Sequence, residues 1–217
     1  MSKPPDEIFI EWRGRERFQV TWDRQLELHQ LRREGKIGDR LVLVEHEPVI
    51  TLGKRGDSAN LVVSKAELMH RGVDFHAIER GGDITYHGPG QLVCYLVVDL
   101  RQRELSVRGF ISLIEQSVIK TLGHYSIEAK TIPRLTGVWV GQTKLAAIGI
   151  AIKGGVSFHG LALNITTDLA YYDMIVPCGI KAKQVGSISS LLGKTVDYSE
   201  VRQLLEQNIT RALLGID

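Results

Sequence analysis

The chain has 217 residues, of which 43% are hydrophobic and 24% charged, and its formal net charge is +2. These values exclude disorder over most of its length, because disorder requires few apolar residues and a large net charge. They give no indication of nucleic-acid binding by bulk electrostatics. The longest apolar run, from Leu92 to Val98, is far shorter than the ~20 residues of a membrane-spanning helix.

Helices and strands are predicted to alternate in the first half of the chain. Apolar residues at helical spacing predict a helix over residues 18–33, and the Ser-x-x-Glu pattern at Ser64 predicts a helix that runs towards His70. Residues 106–122 carry an apolar stripe typical of a helix packed on a core. Short apolar runs predict strands at residues 9–12, 41–44, 49–52, 75–78 and 92–98.

The second half is predicted to be rich in β-structure. Three apolar runs are separated by the pairs Gly141-Gln142 and Gly154-Gly155, which are typical of hairpin turns, so the pattern predicts an antiparallel meander. The three runs are 137–140, 144–153 and 156–165. A final helix is predicted over 198–214, with Asp197 as its N-cap. The fold class that follows is α/β or α+β with a mixed sheet, and the length favours a single domain over residues 1–217.

The amino terminus and the cysteines bear on the cellular compartment. The first residues, MSKPPD, lack the apolar segment of a signal peptide, so we expect a cytoplasmic protein. Two cysteines, Cys94 and Cys178, are too few for a disulfide framework and are expected to be reduced thiols.

A glycine-rich segment at residues 80–91, RGGDITYHGPGQ, holds four of the 22 glycines. Glycines at this density allow positive φ angles and let backbone N–H groups approach a ligand. The segment is therefore either an ordered turn between two strands or a substrate-binding loop. It is not a nucleotide signature, because neither the P-loop pattern nor a Gly-x-Gly-x-x-Gly that opens a helix occurs in it.

The two cysteines have different surroundings in the sequence. Cys178 stands between Pro177 and Gly179, which is typical of a bend outside regular structure, whereas Cys94 lies within an apolar strand and is expected to be a small buried hydrophobe. A thiol with an ordinary pKa of ~8.5 is mostly protonated at neutral pH. A nucleophilic Cys178 therefore requires a cation or a base close by.

Three residues are candidates to activate that thiol. Lys144 begins a strand whose next residues are small, and His87 and His159 are each followed by glycine. The sequence does not distinguish a Cys–Lys from a Cys–His arrangement. A metal site is not expected, because the seven histidines form no His-x-x-x-His pair and no Cys-x-x-Cys occurs.

Five motifs stand out in the sequence, which are TLGKRGDSANLV from residue 51, RGGDITYHGPGQLVCY from residue 80, GVWVGQTKLAAIGI from residue 137, FHGLALNITTDL from residue 158 and IVPCGI from residue 175. In this order and spacing they resemble one family, the lipoyl(octanoyl) transferases, which are octanoyl-carrier-protein:protein N-octanoyltransferases. The resemblance is strongest over about residues 40–190.

The resemblance implies a fold like that of the biotin and lipoate protein ligases, with a mixed sheet flanked by helices in one catalytic domain. It implies that Cys178 and Lys144 are the catalytic residues. It also places contacts to the acyl group on three segments, which are Arg80, Gly81, Gly82, Asp83, Ile84, Thr85, Tyr86 and His87; Ala147, Ile148 and Gly149; and Gly160, Leu161 and Ala162.

The implied reaction is transfer of an octanoyl group from octanoyl-acyl carrier protein to a lysine of lipoyl domains, through a thioester on Cys178 with Lys144 as acid and base. The implied acceptors are lipoyl domains of 2-oxo acid dehydrogenases and glycine cleavage proteins. No cofactor, nucleic acid or membrane is implied. Lys181 and Lys183 are candidates for docking acidic partner proteins.

Four other functions remain open at this point. An ATP-dependent lipoate or biotin protein ligase on the same fold would need no cysteine, and an octanoyl amidotransferase would move the acyl group between protein lysines. A carrier-binding module would bind without catalysis. A thiol hydrolase would pass the acyl group to water.

Overall fold

The computed structural model describes residues 8–176 and 184–216. Its helices are α1 (Phe18–Arg33), α2 (Lys65–His70), α3 (Val107–Gly123), α4 (Ile188–Leu192) and α5 (Tyr198–Leu214). Its strands are β1 (Ile8–Glu16), β2 (Asp39–His46), β3 (Val49–Leu52), β4 (Asp74–Ala77), β5 (Ile84–His87), β6 (Gln91–Val97), β7 (Lys130–Ile132), β8 (Leu135–Val140), β9 (Thr143–Lys153), β10 (Val156–Asn164) and β11 (Gln184–Val185). None of the helices in these ranges is long and apolar enough to cross a membrane.

The strands form two sheets. The larger is mixed and has the order β1-β2-β6-β10-β9-β8-β7, with β11 paired to β9, and the smaller has the order β4-β3-β5. Helix α1 packs on one face of the larger sheet, against β2, β6 and β10. Helices α3 and α5 pack together over the other face. The fold is thus a mixed sheet flanked by helices, as predicted.

The central strands are buried along their whole length, which explains their sequence pattern. Every residue of β6 and β10 is buried because helices cover both faces of the sheet. Successive side chains point to opposite faces. Val93 and Tyr95 therefore join the apolar cluster under α1, whereas Leu92 and Cys94 join the cluster under α3 and α5.

Most of the predicted elements are confirmed. Helices α1 and α5 have the predicted bounds, and the carboxylate of Asp197 accepts hydrogen bonds from the N–H groups of Ser199 and Glu200. Ser64 caps α2 by accepting from the N–H of Glu67. Strands β8, β9 and β10 form the predicted antiparallel meander.

Two parts of the fold were not predicted from the sequence, and the assignment of neighbouring strands to sheets was left open by it. The glycine-rich segment contains a strand, β5, which pairs antiparallel with β3. Strands β2 and β3 follow each other in the chain but lie in different sheets. The short elements β7, β11 and α4 were not predicted, because two to five residues carry too little periodicity to be recognised.

Candidate active site

A cavity lies between the α1-facing side of the larger sheet and the glycine-rich segment. All the residues expected to contact the acyl group line it except Tyr86, and Lys144 lines it as well. The other lining residues, which the sequence analysis did not single out, are Phe18, Ile78, Val93, Tyr95, Leu145, Asn164, Tyr172 and Val185. The three segments that are distant in the sequence therefore converge on one site.

Tyr86 lies on the other side of β5. Its ring is buried and stacks on Tyr171 with ring centroids 4.7 Å apart, within the apolar cluster of the smaller sheet. Side chains alternate along a strand, so Thr85 and His87 face the cavity while Tyr86 faces away from it. The difference between Tyr86 and its neighbours was not predicted from the sequence, because strand β5 itself was not predicted.

The turn that begins at Arg80 is fastened to both sheets. The guanidinium of Arg80 donates from Nη2 to the carbonyl oxygen of Thr51 (2.7 Å) and from Nε to the Thr51 hydroxyl (3.2 Å). The N–H of Gly81 donates to the carbonyl oxygen of Ile150 on β9 (2.9 Å). A Cβ at residue 149 would lie 2.8 Å from the Gly81 oxygen, so glycine at this position permits the close approach.

Asp83 holds a neighbouring loop. Its carboxylate accepts hydrogen bonds from the amide Nδ2 of Asn60 (2.6 Å) and from the N–H of Asp57 (3.2 Å). The carbonyl oxygen of Asn60 in turn accepts from the N–H of Val176 (2.7 Å), the last described residue before the gap. Asp83 therefore positions the loop at residues 57–60, and this loop in turn binds the backbone at Val176.

The conformation of the Lys144 side chain is determined by its contacts with strand β8. A register shift in β8 places Trp139 opposite Lys144, and the lysine Nζ lies 5.0 Å from the centre of the indole ring. Gly137 has a φ of +128°, and a Cβ there would lie 2.6 Å from Cε of Lys144. The N–H of Gly137 donates to the carboxylate of Glu115 on α3 (3.0 Å). Gly137 therefore leaves the space that the lysine side chain occupies.

The described chain resumes directly beside Lys144. Val185 is the register partner of Lys144, and the N–H of Gly186 donates to the carbonyl oxygen of Lys144 (3.0 Å). The carbonyl oxygen of Gly186 accepts from the amide Nδ2 of Asn164 (3.0 Å). Cys178, Lys181 and Lys183, which the sequence analysis singled out, lie outside the described residues.

The histidine His87 is held as a neutral group. Its Nδ1–H donates to Oε1 of Gln91 (2.7 Å), and Nε2 of Gln91 donates to Oδ1 of Asn164 (2.9 Å). Burial lowers the pKa of His87 to about 3, because the charged imidazolium would lose its hydration. His87 therefore supplies no positive charge at neutral pH.

His159 lies in an uncommon backbone conformation at the cavity wall. Its φ is +59°, in the left-handed region, and its N–H donates to Oε1 of Gln25 on α1 (3.0 Å). Burial lowers the pKa of His159 to about 4, although Glu79 lies 3.6 Å from its Nε2. Of the three candidate activators, the two histidines are thus neutral at pH 7.

Cys94 lies in the core of the larger sheet. The Cys94 side chain is fully buried in the middle of β6, and burial raises the pKa of its thiol well above the usual range. This confirms the prediction that Cys94 is a buried hydrophobic side chain.

Across residues 8–176 and 184–216, no group of three His, Cys, Asp or Glu side chains is arranged to hold a metal ion.

Comparison with known proteins defines the class. The family profile of the lipoyl protein ligase A/B catalytic domain matches residues 17–210. A bi-partite lipoate protein ligase from Thermoplasma acidophilum, described together with its E2 lipoyl domain, shares the fold with a TM-score of 0.70 at 17% identity; the alignment covers 96% of this chain and 85% of that one. The chain belongs to the lipoyl protein ligase A/B catalytic-domain family.

Closer relatives narrow the assignment. An octanoyltransferase of Dictyoglomus thermophilum is 49% identical over 181 residues, which cover 83% of this chain and 76% of that protein. An octanoyltransferase of Alkaliphilus metalliredigens is 44% identical over 191 residues, which cover 88% of each chain. Within its family the chain therefore groups with the octanoyltransferases, and it is an acyltransferase.

Proposed function

We propose that this protein transfers an octanoyl group from octanoyl-acyl carrier protein to a lysine of lipoyl domains, through a thioester on Cys178. The observation that carries the proposal is the cavity in which the three expected acyl-contact segments and Lys144 meet. Its walls include apolar side chains suited to an alkyl chain, among them Ile78, Val93 and Ala162.

In the first step, the thiol proton of Cys178 passes to the amine of Lys144, and the thiolate attacks the carbonyl carbon of the donor thioester. A bond forms between this carbon and the cysteine sulfur, and the bond to the carrier's phosphopantetheine sulfur breaks. The Lys144 ammonium then protonates the departing thiolate. One thioester replaces another, so the step is close to thermoneutral.

In the second step, the amine of the acceptor lysine attacks the carbonyl carbon of the acyl-enzyme. An amide bond forms and the bond to the Cys178 sulfur breaks. Lys144, neutral after the first step, takes a proton from the attacking amine and returns it to the cysteine. Amide formation from a thioester is downhill, so the proposed reaction requires neither ATP nor another cofactor.

Lys144 is the preferred partner of Cys178 for an electrostatic reason. A thiolate needs a positive charge nearby, and burial keeps His87 and His159 neutral at pH 7. Support also comes from strand pairing, because Val185, seven residues after Cys178 in the sequence, pairs with Lys144. A reducing cytoplasm is the proposed compartment, because the reaction needs a free thiol at Cys178.

The proposed acceptors are the lipoyl domains of 2-oxo acid dehydrogenases and of glycine cleavage proteins. Support comes from the Thermoplasma acidophilum ligase of similar fold, which is described together with its E2 lipoyl domain. We propose no interaction with nucleic acid or membrane.

The first experiment is intact-protein mass spectrometry after mixing the protein with octanoyl-acyl carrier protein. We expect one added octanoyl group in the wild type and in Cys94→Ala, and none in Cys178→Ala. Cys94→Ala is the matched control, because it removes the buried thiol of β6 and leaves Cys178 in place. Addition of a lipoyl domain should discharge the adduct and octanoylate the domain.

Other outcomes would identify the rival functions. Lipoyl-domain modification that requires ATP and free octanoate, and that survives Cys178→Ala, would indicate a ligase. Release of octanoate without an acceptor would indicate a hydrolase. Carrier binding with no adduct under any condition would indicate a binding module.

A further inference from the structure

The floor of the cavity is a trough of small residues that crosses two neighbouring strands. On β9 and β10, Ala147 lies opposite Ala162, and Gly149 lies opposite Gly160. None of these four side chains extends beyond Cβ. The adjacent Arg80–Gly82 turn covers the trough, since a Cβ at residue 149 would meet the Gly81 oxygen.

The next strand ends this trough with larger side chains. Ala162 pairs with Val93 of β6, and Gly160 pairs with Tyr95. Val93 is 0% exposed and Tyr95 is 3% exposed, and both line the cavity. Phe18, the first residue of α1, joins them in the same apolar cluster and also lines the cavity. These three residues form an end wall on the β6 side, whereas Lys144 lies on the β9 side.

The end wall is held firmly in place. The phenol O–H of Tyr95 donates to Nε2 of His46 (2.7 Å), whose Nδ1–H donates to the carbonyl oxygen of Glu16 (3.1 Å). The ring of Phe18 is parallel to that of His87, with centroids 6.5 Å apart, and edge-on to that of His46 at 5.4 Å. A packed core of this kind does not yield readily to an overlong ligand.

The width of the trough matches a short acyl chain. From β9 to β6 there are two inter-strand spacings, which amount to about 9.6 Å. An extended eight-carbon chain has a similar length. With the carbonyl carbon near Lys144, as the proposed function requires, the terminal methyl group would reach Val93 and Phe18. We infer that Val93 and Phe18 set the length of the acyl chain that the protein accepts.

Binding of free fatty acids tests this inference without requiring transfer. Calorimetry with acids of four to twelve carbons should show about fourfold tighter binding for each added methylene until the chain meets the wall. We expect this gain to end at eight carbons in the wild type. Val93→Ala shortens the wall side chain, so the gain should continue to nine or ten carbons. Phe18→Leu, the second variant, should shift the limit in the same direction.

Val97→Ala is the matched control. Val97 is in the same strand and the same apolar cluster as Val93 and is equally buried, but it does not line the cavity. It should keep the limit at eight carbons. The inference is overturned if Val93→Ala and Phe18→Leu show the same limit as Val97→Ala, or if wild-type affinity keeps rising beyond ten carbons.

A transfer assay with acyl-carrier donors of six to twelve carbons separates this inference from the proposed function. In Val93→Ala the ratio of kcat/KM for ten carbons over eight should rise at least tenfold relative to the wild type. If wild-type protein forms no acyl-enzyme with any donor, the proposed function fails. The chain length at which fatty-acid binding stops tightening would then still test whether Val93 and Phe18 limit the acyl chain. If transfer occurs with an unchanged ratio in both wall variants, the inference alone fails.

Discussion

The position of the Lys144 side chain depends on residue 137 being a glycine. Gly137 has a positive φ and leaves room for the methylene groups of the lysine, and the carboxylate of Glu115 fastens its N–H. The indole of Trp139 lies under the ammonium group, where a cation–π contact helps to fix its position. A proton-transferring group needs this kind of restraint, because small displacements slow the reaction steeply.

Gly137→Ala should therefore impair transfer. The new Cβ would lie 2.6 Å from Cε of Lys144 and 2.5 Å from the carbonyl oxygen of Ala146, so it would displace the lysine side chain and shift the backbone beside it. We expect kcat to fall about 10- to 100-fold with little change in KM, measured by octanoylation of a lipoyl domain.

Gly141→Ala is the control for this variant. Gly141 also has a positive φ, +57°, but a Cβ there would meet nothing within 4 Å. It should keep nearly wild-type kcat. In a Lys144→Ala background, Gly137→Ala should lower kcat much less than it does in the wild type, and an equal loss in both backgrounds would contradict a role through Lys144.

At the scale of the elements, one buried carboxylate joins two helices to the sheet. Asp39 at the start of β2 accepts from Nε of Arg32 on α1 (2.8 Å) and from Nε of Arg103 (2.7 Å). Arg103 also donates to the carbonyl oxygen of Leu213 on α5 (3.0 Å). All three side chains of the triad are at most 6% exposed, so each charge depends on the others for compensation.

Asp39→Asn should destabilise the fold by about 3–5 kcal/mol, because it leaves two buried guanidinium groups without their counter-charge. Asp74→Asn removes the partner of Arg17 in an ion pair whose side chains are 70% and 38% exposed, and it should cost less than about 1 kcal/mol. Urea unfolding of both variants measures the difference. Equal losses in the free energy of unfolding would mean that the buried triad stabilises the fold no more than the exposed ion pair does.

At the scale of the whole molecule, buried histidines link stability to pH. Burial lowers the pKa of His46 to about 4, of His87 to about 3 and of His159 to about 4. In the unfolded chain a histidine has a pKa of about 6.5. Below this pH the unfolded state binds more protons than the folded state, so the free energy of unfolding falls as the pH falls.

We therefore expect stability to be nearly constant above pH 7 and to decrease from about pH 6.5 towards pH 4. Each of the three histidines contributes up to about 1.4 kcal/mol per pH unit within this window. Urea unfolding at pH 7, 6 and 5 measures the slope. His46→Gln should make the slope shallower, and His70→Gln, on the exposed side of α2, should leave it unchanged. A rise in stability on acidification would contradict the assignment.

Local features of the chain are determined by the sequence itself. The bounds of α1 and α5, the caps at Ser64 and Asp197 and the turns of the meander depend on residues a few positions apart, and each was predicted from them. The motif resemblance likewise marked the segments that line the cavity. These predictions succeed because the interactions that cause the features join residues close together in the sequence.

Only the tertiary structure decides how distant strands align. The trough exists because the register of β9, β10 and β6 places Ala147, Ala162 and Val93 in one row, although more than 50 residues separate Val93 from Ala147. The direction of Tyr86 and the space that Gly137 leaves for Lys144 also follow from strand register. Strand pairing over such separations is determined by the packing of both sheet faces at once, and no local pattern in the sequence carries that information.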